Sequence, residues 1–289
     1  MKFTKMHGLG NDFIIIEEKE LSQDTKLPEL AVQLCNRHFG IGADGLIIVL
    51  PSDTADIQMR IINSDGSEPE MCGNGIRCFA KYVYEQGIVS SPKIKVQTLA
   101  GIIVPSLEVI EGEITGICVD MGEPCLTRSK IPMLGEPGQA TTDYLNIDGK
   151  QYKITAVSMG NPHCVIYVDN ISAVPLEELG RKIETHPIFP KKTNVEFVQK
   201  INNNEVMMKV WERGAGVTLA CGTGACAVAV AGVLNNVNGR KVTVHLAAGN
   251  LEINWDEENN HVYMTGPAET VFTGDYYVGG NKNERSSKN

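Results

Sequence analysis

The chain has 289 residues, with 26 Lys and Arg against 35 Asp and Glu and a formal net charge of −9. That length suits two cores, since single domains usually run to about 100–200 residues, and an acidic chain without a Lys/Arg cluster argues against a nucleic-acid surface, which needs a basic stripe to displace counterions. No stretch approaches the roughly 20 apolar residues that cross a bilayer, and residues 1–7 lack an apolar export core, so a cytoplasmic protein with no membrane partner and its eight cysteines reduced is expected.

Runs of β-branched and apolar residues bounded by Gly, Pro, Asn or Asp predict strands over 13–17, 46–50, 57–62, 94–97 and 114–119, with helices over 27–37 and 75–86 between them. Turn residues over 119–124 mark a junction. The same style resumes with strands over 154–157, 165–168, 195–198, 206–211, 242–245 and 251–255, and helices over 176–183 and 224–234. Gly87 and Asn235-Asn236 suit left-handed helix ends. Residues 279–289, rich in Gly, Asn, Ser and Lys, are expected to be disordered.

The two halves repeat. Met71-Cys72-Gly73-Asn74-Gly75 and Ala220-Cys221-Gly222-Thr223-Gly224 are 149 residues apart, and the same offset carries Asn63 onto Glu212 and Gly45 onto Asn194. Gly10-Asn11-Asp12-Phe13 meets Gly160-Asn161-Pro162-His163 at an offset of 150, a slip that one loop insertion explains. So long a period means two similar folded halves, not an array of small repeats. The expected fold class is α+β: two pseudo-symmetric domains, each a mixed, mostly antiparallel sheet around a central helix, with the active site in the cleft between them.

Each repeated cysteine precedes a predicted helix, beside unpaired backbone N–H groups and the positive end of the dipole, a setting that lowers thiol pKa. The amides of Gly73, Asn74, Gly222 and Thr223 suit a carboxylate, and donors fixed there also stabilise charge that spreads onto it when the α-proton leaves. Inverting a stereocentre without a cofactor needs a base on one face of the carbon and an acid on the other, which two matched thiols supply. A cysteine at a Gly/Ala-rich helix start is otherwise a small buried hydrophobe, the default for Cys35, Cys78, Cys118, Cys125, Cys164 and Cys226. A non-catalytic anion-binding protein is a further reading, although no P-loop lysine is present. Zinc finds no CxxC pair.

Gly8-Leu9-Gly10-Asn11-Asp12-Phe13, Asn63-Ser64-Asp65-Gly66-Ser67, the two Cys-Gly-x-Gly segments, Gly160-Asn161-Pro162-His163 and Glu212-Arg213-Gly214 together resemble the diaminopimelate epimerase family over nearly the whole chain. The resemblance implies a cofactor-independent, metal-free interconversion of LL- and meso-diaminopimelate on the bacterial route to lysine and cell-wall peptide. It implies that Cys72 is the donating thiol and Cys221 the abstracting thiolate for the LL isomer, with roles exchanged for the meso isomer. It further implies that His163 and Glu212 tune the thiols, and that Asn11, Asn63, Asn161, Asn194, Glu212 and Arg213 hold the distal amino-acid group. The helix-start amides of Gly73, Asn74, Gly222 and Thr223 would hold the α-carboxylate. Some relatives place a glutamine where this chain has Gly45, which is therefore left out of the site. The implied domains are 1–119 with a returning strand over 267–278, then 120–266, in a homodimer. A proline or hydroxyproline racemase shares the two-thiol logic but would give Glu212 and Arg213 little to hold.

Overall fold

The computed structural model describes Met1–Tyr277. Val278, at the end of the expected returning strand, and the stretch 279–289 expected to be disordered lie outside the described residues. The described chain divides into two compact units, one of Met1–Gly8, Asp12–Ile103 and the segment from Ala268 onward, the other of Leu9–Asn11 and Val104–Pro267.

The first unit contains β1 (Lys2–Gly8), β2 (Asn11–Glu17, with Asn11 grouped in the second unit), α1 (Leu27–Cys35), β3 (Gly45–Leu50), β4 (Ile57–Asn63), α2 (Gly73–Glu85), β5 (Val96–Thr98) and β6 (Gly101–Ile103). Strands β2 and β3 are apolar on both faces because a helix covers each, and β4 adds Ile61 and Ile62 to the two sides. Ile14, Ile16, Leu46, Ile48 and Ile62 pack with Ala31, Leu34 and Cys35 of α1. The alternate residues Ile47 and Ile61 reach Gly75 on α2, where an added Cβ would lie 3.4 and 3.0 Å from their Cδ1 atoms. The period of two thus feeds two cores from one run.

The second unit contains β7 (Ser106–Ile110), β8 (Glu113–Asp120), β9 (Asp143–Ile147), β10 (Lys150–Ser158), β11 (Pro162–Tyr167), α3 (Leu176–Glu184), β12 (Asn194–Asn202), β13 (Glu205–Glu212), β14 (Gly216–Val217), α4 (Gly222–Leu234), β15 (Lys241–Leu246), β16 (Gly249–Trp255) and β17 (Val262–Gly266). Helix α4 is buried along Gly224–Gly232, which suits a helix apolar on all sides. It packs with Val157, Val165, Val198, Val210, Val244 and Leu251 from the surrounding strands. Val195 and Phe197 point to the opposite face, with Ile183 of α3.

The final strand, β18 (Glu269–Asp275), pairs antiparallel with β1. The first sheet runs β18-β1-β2-β3-β4-β5-β6, and the second runs β7-β8-β17-β16-β15-β13-β12-β11-β10-β9 with β14 paired to β13. Read from β1 and from β10, the two orders match, including parallel pairs β2/β3 and β11/β12 and antiparallel pairs β3/β4 and β12/β13. The helices match residue for residue, α1 with α3 and α2 with α4 at an offset of 149. The α+β duplication expected from sequence is therefore the fold, with mixed sheets in both halves.

Some boundaries differ from the sequence expectations. Helix α1 stops at Cys35 instead of 37 because Asn36 turns extended (φ −62°, ψ 119°), and its Oδ1 accepts from the amides of His38 and Phe39. Strands β7 and β8 belong to the second sheet, whereas a junction at 119/120 would leave them in the first half. Strand β8 is held there by β17 (Val119 opposite Met264), a pairing across a separation that local pattern does not encode. Strands β1, β6, β7, β9, β14 and β17 were not anticipated; β1, Lys-Phe-Thr-Lys-Met-His-Gly, has no regular polar–apolar alternation and owes its form to its neighbours. Gly87 is left-handed at φ +66°, and in the second half it is Asn236, at φ +57°, that takes that role.

Candidate active site

In the first unit Cys72 is the N-cap of α2, in extended conformation (φ −140°, ψ 118°), and its Sγ accepts from the Gly75 amide at 3.4 Å. Cys72 is half-buried and sits at the helix N-terminus, where first-turn N–H groups have no carbonyl partner within the helix. Arg77, fully buried one turn on, reaches back with Nη1 to the Gly73 carbonyl (3.1 Å) and Nη2 to Asn74 Oδ1 (3.0 Å). The Cys-Gly-Asn turn is thus fastened from beneath. Asn63 ends β4, half-buried, and donates from Nδ2 to Ser67 Oγ at 2.9 Å. At Gly45 a Cβ would stand 3.1 Å from the Ile62 carbonyl oxygen and 3.3 Å from Phe13, which accounts for glycine there.

In the second unit Cys221 is the N-cap of α4 (φ −129°, ψ 107°) and only 5 % exposed, with Sγ 3.6 Å from Thr223 Oγ1. Burial pushes this thiol well above the ordinary thiol range, and the Glu212 and Glu196 charges push the same way against the Thr223 hydroxyl and the Gly224 amide. In this state the expected acidification by the helix N-terminus is outweighed. His163 is fully buried, with Nδ1 2.7 Å from Glu196 Oε1 and Nε2 3.0 Å from Asn161 Oδ1, while Asn161 Nδ2 donates to Thr223 Oγ1 at 3.2 Å. Sequence-predicted Asn161, His163, Cys221 and Thr223 therefore meet in one hydrogen-bonded cluster.

Glu212 ends β13, half-buried, and accepts from the Thr218 hydroxyl. Arg213 follows, exposed, with its guanidinium donating to the Lys191 carbonyl at 3.2 Å. Asn194 lies behind them, 3 % exposed: its Oδ1 accepts from the Arg213 amide (2.8 Å) and its Nδ2 donates to the Pro162 carbonyl (2.9 Å). Its side chain thus fixes the turn that carries Arg213. Asn11 stands half-buried at the start of β2, within the segment that groups with the second unit.

Two carboxylates were missed by sequence reasoning. Glu196, fully buried, was seen only as one residue of an apolar strand, yet its repeat mate is Ile47, and that charged-for-apolar exchange was the available signal. Glu184, mate of Cys35, accepts from Trp211 Nε1 (2.7 Å) and the Gly214 amide (3.0 Å), on either side of Glu212-Arg213. His163, Glu196 and Cys221 offer one nitrogen, oxygen and sulfur within 4.8 Å of one another, the one such trio among the described residues. Both His163 nitrogens are already engaged, by Glu196 and Asn161, so the trio is a hydrogen-bonded chain in form.

The model of the diaminopimelate epimerase family matches residues 3–127 and 155–271, one block in each repeat. A diaminopimelate epimerase of Pelotomaculum thermopropionicum is 60 % identical over 277 residues, covering 96 % of this chain and 99 % of that protein. Among solved structures, a phenazine biosynthesis protein of the PhzF family from Bacillus anthracis superposes with a TM-score of 0.67 at 15 % identity, covering 96 % of this chain and 99 % of the other. A probable proline racemase from Agrobacterium radiobacter gives 0.67 at 14 %, covering 97 % and 94 %. These distant structures share the duplicated fold. Near-complete coverage at 60 % identity carries more, and by it the chain belongs to the diaminopimelate epimerase family.

Proposed function

We propose that this epimerase interconverts LL- and meso-2,6-diaminopimelate by moving the α-proton between two cysteines, with neither pyridoxal phosphate nor a metal. The observation that carries the reading is that Cys72 and Cys221 are the N-cap residues of the two repeat-equivalent helices. For the LL isomer Cys221 abstracts as thiolate and Cys72 donates as thiol to the opposite face; after turnover their protonation states have exchanged. The reverse reaction starts from the other state.

The α-carboxylate would rest on the helix-start amides of Gly73, Asn74, Gly222 and Thr223, where it takes up charge from the carbanion. At the far end Arg213 offers a planar fork for the second carboxylate and Glu212 an acceptor for the ammonium, with Asn11, Asn63, Asn161 and Asn194 positioning the chain. His163 and Glu212 set the balance of the thiols. The family resemblance also supports a homodimer, which light scattering would test.

In deuterated water, LL-diaminopimelate should acquire one solvent deuterium at the carbon that inverts, in enzyme treated with chelator and free of pyridoxal phosphate. Cys72→Ala and Cys221→Ala should each lose roughly 10²–10⁴-fold in turnover, the usual worth of a positioned acid or base. Undiminished turnover in either variant would overturn the two-thiol reading, and faster turnover of proline would redirect it to the racemase.

A further inference from the structure

Glu196 has no counterpart in the first half. The second unit places Glu196 and His163 where the first has Ile47 and Phe13, and the strand register confirms the equivalence, Phe13 opposite Gly45 and His163 opposite Asn194. Both partners are fully buried, and Glu196 Oε2 has no hydrogen-bond partner. A Cβ on Gly224 would stand 2.8 Å from Glu196 Oε1 and 3.2 Å from Cys221 Sγ, so this glycine lets the carboxylate lie close under the helix start.

From Glu196 a chain of contacts leads to the thiol: 2.7 Å to His163 Nδ1, 3.0 Å from Nε2 to Asn161 Oδ1, 3.2 Å from Asn161 Nδ2 to Thr223 Oγ1, and 3.6 Å from Oγ1 to Cys221 Sγ. Such a chain can be polarised in either direction, and the Glu196–His163 pair selects one. A buried pair is cheapest when neutral overall, as carboxylate with imidazolium or as carboxylic acid with imidazole. In both forms Nε2 carries a hydrogen. Asn161 must then present its oxygen to His163 and its NH₂ to Thr223, which leaves the threonine hydroxyl hydrogen for the sulfur. An imidazole without Glu196 is free to protonate Nδ1, and the whole chain can turn round.

We infer that Glu196 is a positioning residue that fixes the direction of this chain, so that the Thr223 hydroxyl donates to the Cys221 thiolate. The charged or titratable groups around the chain are Glu212 on β13 and Cys164 on β11, besides His163, Glu196 and Cys221 themselves. The catalytic consequence rests on the two-cysteine reading: the Cys221 thiolate is held by a hydroxyl donor whose direction Glu196 sets.

The test is the pH dependence of Cys221 alkylation by iodoacetamide in the full-length protein, followed by mass spectrometry, which needs no substrate. Glu196→Ile carries the residue that the first half tolerates at this place, and Glu196→Gln keeps the volume should that variant fold poorly. Both should move the midpoint to higher pH, the first by about one to two units, the worth of one hydrogen bond to a charged group. Thr223→Val should give a similar shift, and the double variant no more than the larger single one. A midpoint that falls would show Glu196 acting as a bare negative charge. Additive shifts, or none, would equally overturn the chain. An enzyme that epimerises without these shifts keeps its proposed function and loses the chain; one that shows them without epimerising keeps the chain and loses the function.

Discussion

At the scale of single residues, the second half of the molecule is specified by three buried or half-buried carboxylates, Glu184, Glu196 and Glu212, whose repeat mates are Cys35, Ile47 and Asn63. Glu184 does for the Glu212-Arg213 turn what Glu196 does for the thiol. Burial pushes its carboxyl up, but donation from Trp211, Gly214 and Lys192 outweighs that and holds it below the usual range. Glu184→Gln should therefore loosen the turn, because an amide replaces one accepting oxygen with a donor facing another donor. A stability loss of about 1–3 kcal/mol is expected, with KM for diaminopimelate rising more than kcat falls; a thermal melt beside steady-state kinetics would check both. Cys72 and Cys221 stood out in the sequence because one motif occurs twice, whereas Asn63, Glu212 and Arg213 were expected at the site from the family resemblance. Glu184 and Glu196 were not, since a charged residue in a strand or helix pattern looks solvated until its neighbours are known.

At the scale of elements, what the chain pattern predicted best were the segments with a strong local signal. The four helices start and stop within two residues of expectation, because small residues, apolar periodicity and left-handed residues punctuate them. Their contacts needed the structure. Helix α3 approaches β13 so closely that a Cβ at Gly180 would lie 2.5 Å from Trp211 Cγ and 2.6 Å from its Cβ. Gly180→Ala gains helix propensity of about 1 kcal/mol but must push a ring that is also tied to Glu184. We expect overpacking to win, with a net loss of about 1–2 kcal/mol in urea unfolding and a weakened hold on the Glu212-Arg213 turn. A Gly180→Ala protein as stable as the parent would show that α3 can slide without cost.

At the scale of the molecule, the last strand completes the first sheet. Residues 2–7 of β1 find their partners in β18, and Phe3 meets Phe272 edge-on at 5.9 Å between ring centres. A chain ended at Pro267 should expose that edge, melt at lower temperature and self-associate with concentration in light scattering; a monodisperse truncated protein of unchanged melting temperature would contradict this. The amino-acid sequence by itself determined the duplication, the α+β class and the two Cys-Gly-x-Gly helix starts, because these are local patterns repeated at a fixed offset. Only the tertiary structure decided which strands join which sheet and that Glu184 and Glu196 are buried beside the Glu212-Arg213 turn and the Cys221 helix start. It also decided that burial and neighbouring charge lift Cys221 above the acidity its helix start would give. Strand pairing, dielectric and charge proximity depend on residues far apart in the chain, and no local pattern carries them.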